Sequence, residues 1–355
     1  MTVTANSAPL APCTTLGVGG AARWLAEPSS PEAVCEALAW ADRAGVPVVC
    51  LGGGSNVLIA DGGFDGLVLR PRLRGLTLAA SGEVFASAGE QWDDVVDACV
   101  LAGLQGIECM TGIPGWAGAA PIQNIGAYGQ EVADVLVSVD AVRVSDQQVV
   151  RLSREACAFG YRDSRFKRDG GYIVTGLTLQ LAPERRAAPR YAELSRALGV
   201  GVGDEVSLSD ARAAVRSLRL GKGMLLETPS TLGPDARSAG SFFTNPVVDD
   251  AVAAALPDEA PRYASGVQGR TKLSAAWLVE RAGWTRGRAL GRAAVSSRHT
   301  LALINSGGAT ALELVRLAAH VRADVRARFG VTLSPEPVFI GFDATGDALL
   351  DAWTP

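Results

Sequence analysis

Histidine is nearly absent from this chain. Of 355 residues only His299 and His320 are histidine, both late in the sequence, so a His-based metal centre is not expected and no metal ligands are assigned. The six cysteines (Cys13, Cys35, Cys50, Cys99, Cys109 and Cys157) include no C-x-x-C pair, and most have apolar neighbours. They read as small core residues in a reducing compartment, which argues for a cytoplasmic protein and against a disulfide framework or zinc site. No apolar run reaches the roughly 18 residues of a membrane span. Residues 1–12 lack a basic region followed by an apolar core, so no signal peptide is expected. A net charge of −4 argues against a general nucleic-acid surface. Internal repeats and low-complexity tracts are missing too.

What is abundant is glycine, 41 residues, and it is concentrated. The stretch 111–131, TGIPGWAGAAPIQNIGAYGQE, holds Gly112, Gly115, Gly118, Gly126 and Gly129 and no charge before Glu131. Glycine lets backbone approach a ligand closely and adopt positive φ, and runs of backbone N–H groups in such loops form anion-binding concavities. Thr111, Gln123 and Asn124 can hydrogen-bond without adding charge. A neutral, glycine-dense loop suits a phosphate-bearing cofactor with a flat apolar ring. Ile113, Trp116, Ile122 and Ile125 are too apolar for an exposed linker. A second loop supports the first: residues 46–51, VPVVCL, read as a buried strand running into Gly52-Gly53-Gly54-Ser55-Asn56 and then Val57-Leu58-Ile59, a plausible diphosphate cradle. By contrast, residues 17–22, GVGGAA, fit G-x-G-x-x-A without the strand before and helix after that a dinucleotide fingerprint needs, and read as a chance match.

The coarse organisation follows from periodicity. Ser30 caps a helix opening at Pro31, with Val34, Leu38 and Ala41 on one face and Gly45 at its end. Residues 66–70 form a strand. Residues 76–89 suit a hairpin around Ser81-Gly82; Trp92, Val95, Val96 and Cys99 mark a helical face ending near Gly103; residues 135–144, 149–152 and 172–179 are β-like. Residues 219–235 read as a linker. Leu273, Trp277, Leu278 and Arg281 share a helical face. Residues 311–329 form a long amphipathic helix with Leu312, Val315, Val321, Val325 and Phe329 inward, and Arg316, Arg322, Arg326 and Arg328 on the solvated face.

Three short segments hold candidate chemistry. In residues 160–167, GYRDSRFK, the planar guanidinium of Arg162 suits a carboxylate or developing enolate, and Asp163 could orient it; a structural Arg–Asp pair is the alternative. In residues 238–246, SAGSFFTNP, Ser241 follows a glycine but has no G-x-S-x-G elbow, so a serine hydrolase is a poor reading. In residues 334–341, SPEPVFIG, Glu336 is held between two prolines at the entry to an apolar strand.

Together these motifs, GGGSNVLI, PIQNIGAYGQE, YRDS, AGSFF-T-NP and SPEPVFIG, arriving in that order over roughly residues 13–341, resemble the UDP-N-acetylenolpyruvoylglucosamine reductase family, and the glycine loops resemble the vanillyl-alcohol-oxidase (PCMH) type of flavoprotein more broadly. Residues 13–18, CTTLGV, resemble the family's opening motif, with Thr14 where Asn is usual. The resemblance implies an α+β, three-domain flavoprotein: FAD-binding subdomains over 1–72 (to which the tail 342–355 could be joined) and 73–222, with the flavin between them, and a smaller α/β substrate domain over 223–341. It implies NADPH as hydride donor, non-covalent FAD, and a UDP-sugar as substrate, handled by a monomer. Carried over residue by residue, Arg162, Ser241 and Glu336 are catalytic. The cofactor residues are Gly52, Gly53, Gly54, Ser55, Asn56, Val57, Thr111, Gly112, Ile113, Pro114, Gly115, Gly118, Ala119, Gln123, Asn124, Gly126, Ala127, Tyr128 and Ile173. Tyr191, in a loop that closes over the UDP-sugar in one form of the family, and Lys222, Asn245 and Lys272 contact the substrate. Two other classes keep the cofactor fold: an oxidase or dehydrogenase passing electrons to oxygen, which has no need of the Ser241 and Glu336 motifs, and a non-catalytic UDP-sugar binder, against which the intact trio argues.

Overall fold

The structure is a computed structural model that describes residues 3–225 and 233–342. The chain divides into two compact units, one comprising residues 1–8, 22–54 and 65–221, the other 9–21, 55–64 and 222–355. The tail beyond Phe342 lies outside the described residues, as does the middle of the expected linker, 226–232.

In the first unit, helix α1 (Pro31–Ala44) forms as its caps dictate. The Ser30 side chain accepts from the Ala33 N–H at 3.2 Å, and Gly45 closes the helix at φ +64°. Its face of Val34, Ala37, Leu38 and Ala41 packs against Leu67 and Leu69 and against Val142 and Ile173. The first pair belongs to a sheet ordered Val3–Pro9, Ala21–Ala26, Phe64–Leu69, Val48–Cys50. The buried strand expected at 46–51 is instead the short edge strand Val48–Cys50: it pairs on one side only, so Val48 and Val49 are half-buried and Cys50 is exposed. Residues 20–22 enter the strand Ala21–Ala26, not a helix.

The second sheet of this unit is antiparallel, ordered Val149–Ser153, Leu136–Arg143, Tyr172–Gln180, Glu83–Ser87, Leu76–Leu78. Its hairpin turns at Gly82, whose φ of +87° and lack of a side chain are both needed, since a Cβ would lie 1.9 Å from the Leu181 carbonyl. Helix α2 (Trp92–Ala102) buries Trp92, Val95, Val96 and Cys99 against Val84, Ala86, Val139, Leu177 and Leu179. Short helices α3 (Val132–Val135), α4 (Arg165–Asp169) and α5 (Ala192–Leu198) precede α6 (Leu208–Gly221). The expected linker therefore begins later than 219, because Arg219–Gly221 complete α6.

The second unit holds two three-stranded sheets, the parallel strand pair Val57–Ile59 with Val338–Ile340, and the helix Ala311–Phe329. A reciprocal Thr310–Glu313 capping box starts that helix and Gly330, at φ +68°, ends it. Val315, Val321 and Val325 are buried as expected, but Leu312 and Phe329 are only half-buried; Leu314, Leu317 and Ala318 complete the buried stripe, and Arg316, Arg326 and Arg328 are exposed. Leu273 ends the strand Arg270–Leu273 and is not helical; the helix runs Ala275–Arg281 under a Ser274 cap.

Candidate active site

The two glycine loops meet backbone to backbone within the first unit. A Cβ on Gly53 would stand 2.8 Å from the Gly115 Cα, and one on Gly118 would stand 2.6 Å from the Ala88 Cβ. Neither position can carry a side chain without displacing a neighbour. Gly54, Gly112 and Gly115 take φ of +67°, +69° and +118°. Trp116 lies against Gly52, and the Arg70 and Arg72 guanidiniums lie 5.2 and 4.7 Å from its ring centroid. Both arginines also bond the Glu27 carboxylate. The result is a glycine backbone surface with Trp116 beside it held by two cation–π contacts, a donor set that fits a diphosphate and a flat ring. Ile113, Pro114, Gln123, Ala127 and Tyr128 are half-buried, Ala119 is exposed, and Ile173 is buried under α1.

Three non-glycine residues here sit in the left-handed region: Asn124 at φ +47°, Tyr128 at +49° and Arg162 at +53°. Such backbone costs energy and persists where surroundings impose it. For Asn124 the surroundings are visible. Its Oδ1 accepts from Ala133 N–H at 2.9 Å, and its Nδ2 donates to Glu131 Oε2 at 2.8 Å and to the Gly160 carbonyl at 3.2 Å. Its buried side chain is thus engaged inside the loop. Tyr128 and Gly129 form the turn of the ribbon pairing Gly126–Ala127 with Gln130–Glu131. Thr111 is fully buried, and its hydroxyl points to Asp93.

Arg162 reaches the same ribbon. Its Nη1 donates to the Asn124 carbonyl at 3.2 Å and its Nη2 to the Gly126 carbonyl at 2.6 Å, with Glu131 Oε1 at 3.7 Å. The expected orienter, Asp163, pairs with Arg168 instead. Ser164 caps α4 and donates to the Ile122 carbonyl at 2.5 Å, fastening the turn that carries Arg162 to the glycine loop. Tyr191, at the start of α5 and 45% exposed, meets Tyr128 edge to face at 5.7 Å.

In the second unit, Ser241 follows Gly240 at φ +70° and precedes Phe242 and Phe243, which are buried and edge to face at 5.3 Å. The Phe242 N–H donates to Leu301 and the Thr244 N–H to Ser334, so the segment is laced into its neighbours on both sides. The Glu336 N–H donates to the Phe242 carbonyl at 2.9 Å. Asn56 is tied to Glu336 as well, donating from Nδ2 to its carbonyl at 3.2 Å. Ser241 is half-buried, and its hydroxyl has no hydrogen-bond partner among the described residues. Asn245 caps the helix Ala275–Arg281 through Ala275 N–H. Lys272 lies on the strand Arg270–Leu273, opposite Val247, and Lys222 is half-buried just after α6. Sequence reasoning missed Thr15, which donates to the Ser238 carbonyl at 2.6 Å and so steadies the Ser241 segment; its place beside Thr14 in the opening motif was the available signal.

Comparison with known proteins gives matches at both ends of the chain. Residues 22–153 match the FAD binding domain family, and residues 233–340 match the UDP-N-acetylenolpyruvoylglucosamine reductase C-terminal domain family. The UDP-N-acetylenolpyruvoylglucosamine reductase of Thermobifida fusca is 45% identical over 353 residues, covering 95% of this chain and 98% of its own length. That of Streptomyces coelicolor is 46% identical over 349 residues, covering 95% and 90%. The crystal structure of the Thermus caldophilus UDP-N-acetylenolpyruvylglucosamine reductase superposes with a TM-score of 0.67 at 26% identity, covering 96% of this chain and all of the other.

Proposed function

Since the chain belongs to the UDP-N-acetylenolpyruvoylglucosamine reductase family, we infer that it reduces UDP-N-acetylglucosamine enolpyruvate to UDP-N-acetylmuramate with NADPH and FAD, a step in making peptidoglycan for the cell wall. The observation that carries this reading is 45% identity to a reductase across 95% of this chain and 98% of the relative. The cradle formed where Gly53 abuts Gly115 fits FAD, held by the loops at 52–57 and 111–128 without a covalent bond. Residues 1–72 and 73–222 serve the cofactor and 223–341 the substrate.

Bound FAD supplies the relay by which the NADPH hydride reaches the terminal carbon of the enolpyruvyl group. That carbon is electrophilic because it is conjugated to a carboxylate; as the hydride's pair forms the new C–H bond, the alkene π pair moves onto the carboxylate as an enolate. Arg162 stabilises this charge: its guanidinium is permanently cationic and already fixed by two backbone carbonyls, so little reorganisation is required. The adjacent carbon then takes a proton from the Ser241 hydroxyl, a weak acid in water but strong enough against an enolate. Glu336, braced beside the same segment, positions charge or joins the proton transfer. Tyr191 covers the UDP-sugar, and Lys222, Asn245 and Lys272 hold it. NADPH and the sugar use one pocket in turn. The protein acts as a cytoplasmic monomer without nucleic-acid partners; among the described residues no helix is long and apolar enough to cross a membrane.

The test is anaerobic flavin spectroscopy. Protein-bound flavin should be bleached by NADPH and recover its colour quickly with the enolpyruvyl sugar and slowly with oxygen. Faster recovery with oxygen than with the sugar would favour an oxidase.

A further inference from the structure

Helices α2 and α6 are joined by two ion pairs set one turn apart. Asp97 is ion-paired with Arg212 at 2.9 Å, and Asp93 accepts from Arg216 at 2.7 Å. On each helix the partners are four residues apart, so the two pairs form parallel rungs. Among the described residues only the Asp93 rung reaches further. Asp93 Oδ1 also accepts from the Thr111 hydroxyl at 2.8 Å and from the Gly112 N–H at 2.6 Å, while Oδ2 takes the arginine. Thr111 and Gly112 open the second glycine loop, with Gly112 at φ +69°. Helix α6 ends at Gly221, directly before Lys222.

We propose that Asp93 is a positioning residue of the reductase, its two oxygens holding the flavin loop and helix α6 in one register. The proposal rests on the function inferred above. One carboxylate serves two directions: the loop arm fixes the first bend of the cofactor cradle, and the α6 arm fixes the helix that delivers the chain to Lys222. Asp93 is suited to this by its place in the first turn of α2, where the helix N-terminus favours negative charge. Burial raises its pKa toward the neutral form, but the bonds from Gly112, Thr111 and Arg216 more than reverse this and hold the carboxyl below its ordinary value. It is therefore charged throughout the neutral range.

The two arms are separable by substitution. Asp93→Asn keeps an amide oxygen for Thr111 and Gly112 but turns an NH₂ toward Arg216, so it damages the α6 arm. Thr111→Val is near-isosteric and removes only a loop-arm bond. Asp97→Asn breaks the other rung and serves as the control for helix–helix stability. FAD affinity is read by fluorescence titration of apoprotein, and KM for the UDP-sugar by steady-state kinetics. Asp93→Ala should weaken FAD and raise KM by about tenfold each, the usual effect of removing a charged hydrogen-bond acceptor. Thr111→Val should weaken FAD about fivefold and leave KM alone. Asp93→Asn should do the reverse, and Asp97→Asn neither. The proposal fails if Asp93→Ala leaves both within about twofold, or if Asp97→Asn reproduces it. If Asp93→Ala does not fold, opposite patterns in Asp93→Asn and Thr111→Val uphold the proposal, and a shared pattern overturns it. If wild-type protein binds FAD but ignores the UDP-sugar, the function inferred above is wrong, while the FAD titrations still decide the loop arm.

Discussion

The Glu336 backbone N–H donates to the Phe242 carbonyl at 2.9 Å, which sets the carboxylate-bearing residue across from the residue next to Ser241. Two segments almost a hundred residues apart in sequence are thereby one hydrogen bond apart in space. Phe242 is wholly buried, so the register of that bond is not free to slip. Placement of a proton donor depends on such rigidity.

If Ser241 gives the proton, its removal should leave the first half-reaction intact. Ser241→Ala should bind FAD and accept hydride from NADPH within about tenfold of normal, while reoxidation by the enolpyruvyl sugar slows by about 10²–10⁴, the usual worth of a placed general acid. Glu336→Gln should fall in the same half. Stopped-flow absorbance near the flavin maximum separates the two halves; equal slowing of both by Ser241→Ala would reassign Ser241 to flavin placement or folding.

Arg162 makes two donations from one planar group, to Asn124 and Gly126. Lysine keeps the charge but has no fork. Arg162→Lys should therefore retain FAD and slow reoxidation by the enolpyruvyl sugar about 10²–10³-fold, as for loss of one oxyanion donor. Unchanged reoxidation would remove Arg162 from the chemistry.

Local signals carried far in this sequence. Ser30 and Gly45 marked α1, because a cap is a short-range interaction readable from spacing, and the spacing of Val315, Val321 and Val325 marked the long helix. The glycine loops were legible since close backbone approach leaves glycine no substitute. Partners distant in sequence were not legible. Asp163 stands next to Arg162, yet the carboxylate near that guanidinium is Glu131, brought there by the ribbon at 126–131. Strand Val48–Cys50 looked buried because its apolar composition says nothing about standing at a sheet edge. Leu273 fits a helical period, but it pairs with Arg262 in a sheet, where its neighbour Lys272 pairs with both Val247 and Tyr263. Asp93 carried no motif at all, its partners lying 18, 19 and 123 positions away.

Asp235 gives a pH dependence. Burial opposes its charge, but bonds from the Ser296 and Ser297 hydroxyls and the Ser297 N–H, with Arg298 at 3.7 Å, outweigh this and lower its pKa. A carboxyl whose folded value lies below its unfolded value stabilises the fold above the unfolded value and loses this as pH falls through the folded one. The contribution should thus be full at neutral pH, begin to fall near about pH 4, and vanish only once the pH has dropped through the lower folded value. Urea unfolding across this range should show Asp235→Asn less stable at pH 7 and less sensitive to acid than wild type. Parallel acid limbs would show that Asp235 has no such role.

Gly52 and Gly53 are neighbours with different reasons for being glycine. A Cβ on Gly53 meets the Gly115 Cα at 2.8 Å, whereas one on Gly52 meets nothing nearer than the Ala119 Cβ at 3.9 Å, an ordinary contact. Backbone cannot swing aside as a side chain can, so Gly53→Ala must push the two glycine loops apart, at about 1–3 kcal/mol for an overpacked site. The apoprotein should melt several degrees lower, and FAD affinity should fall about tenfold to a hundredfold if the strain is borne by the cradle. Gly52→Ala should leave the melting temperature of the apoprotein unchanged. If the 52–57 loop lies against the cofactor, the new methyl should still weaken FAD, because it occupies surface that glycine leaves open. Thermal melts of the two apoproteins and FAD titrations of each provide the check. Loss of FAD affinity without loss of stability in Gly52→Ala, beside loss of both in Gly53→Ala, would place the cofactor on the first loop and the structural constraint between the loops. FAD binding untouched by Gly52→Ala would move the cofactor off that loop.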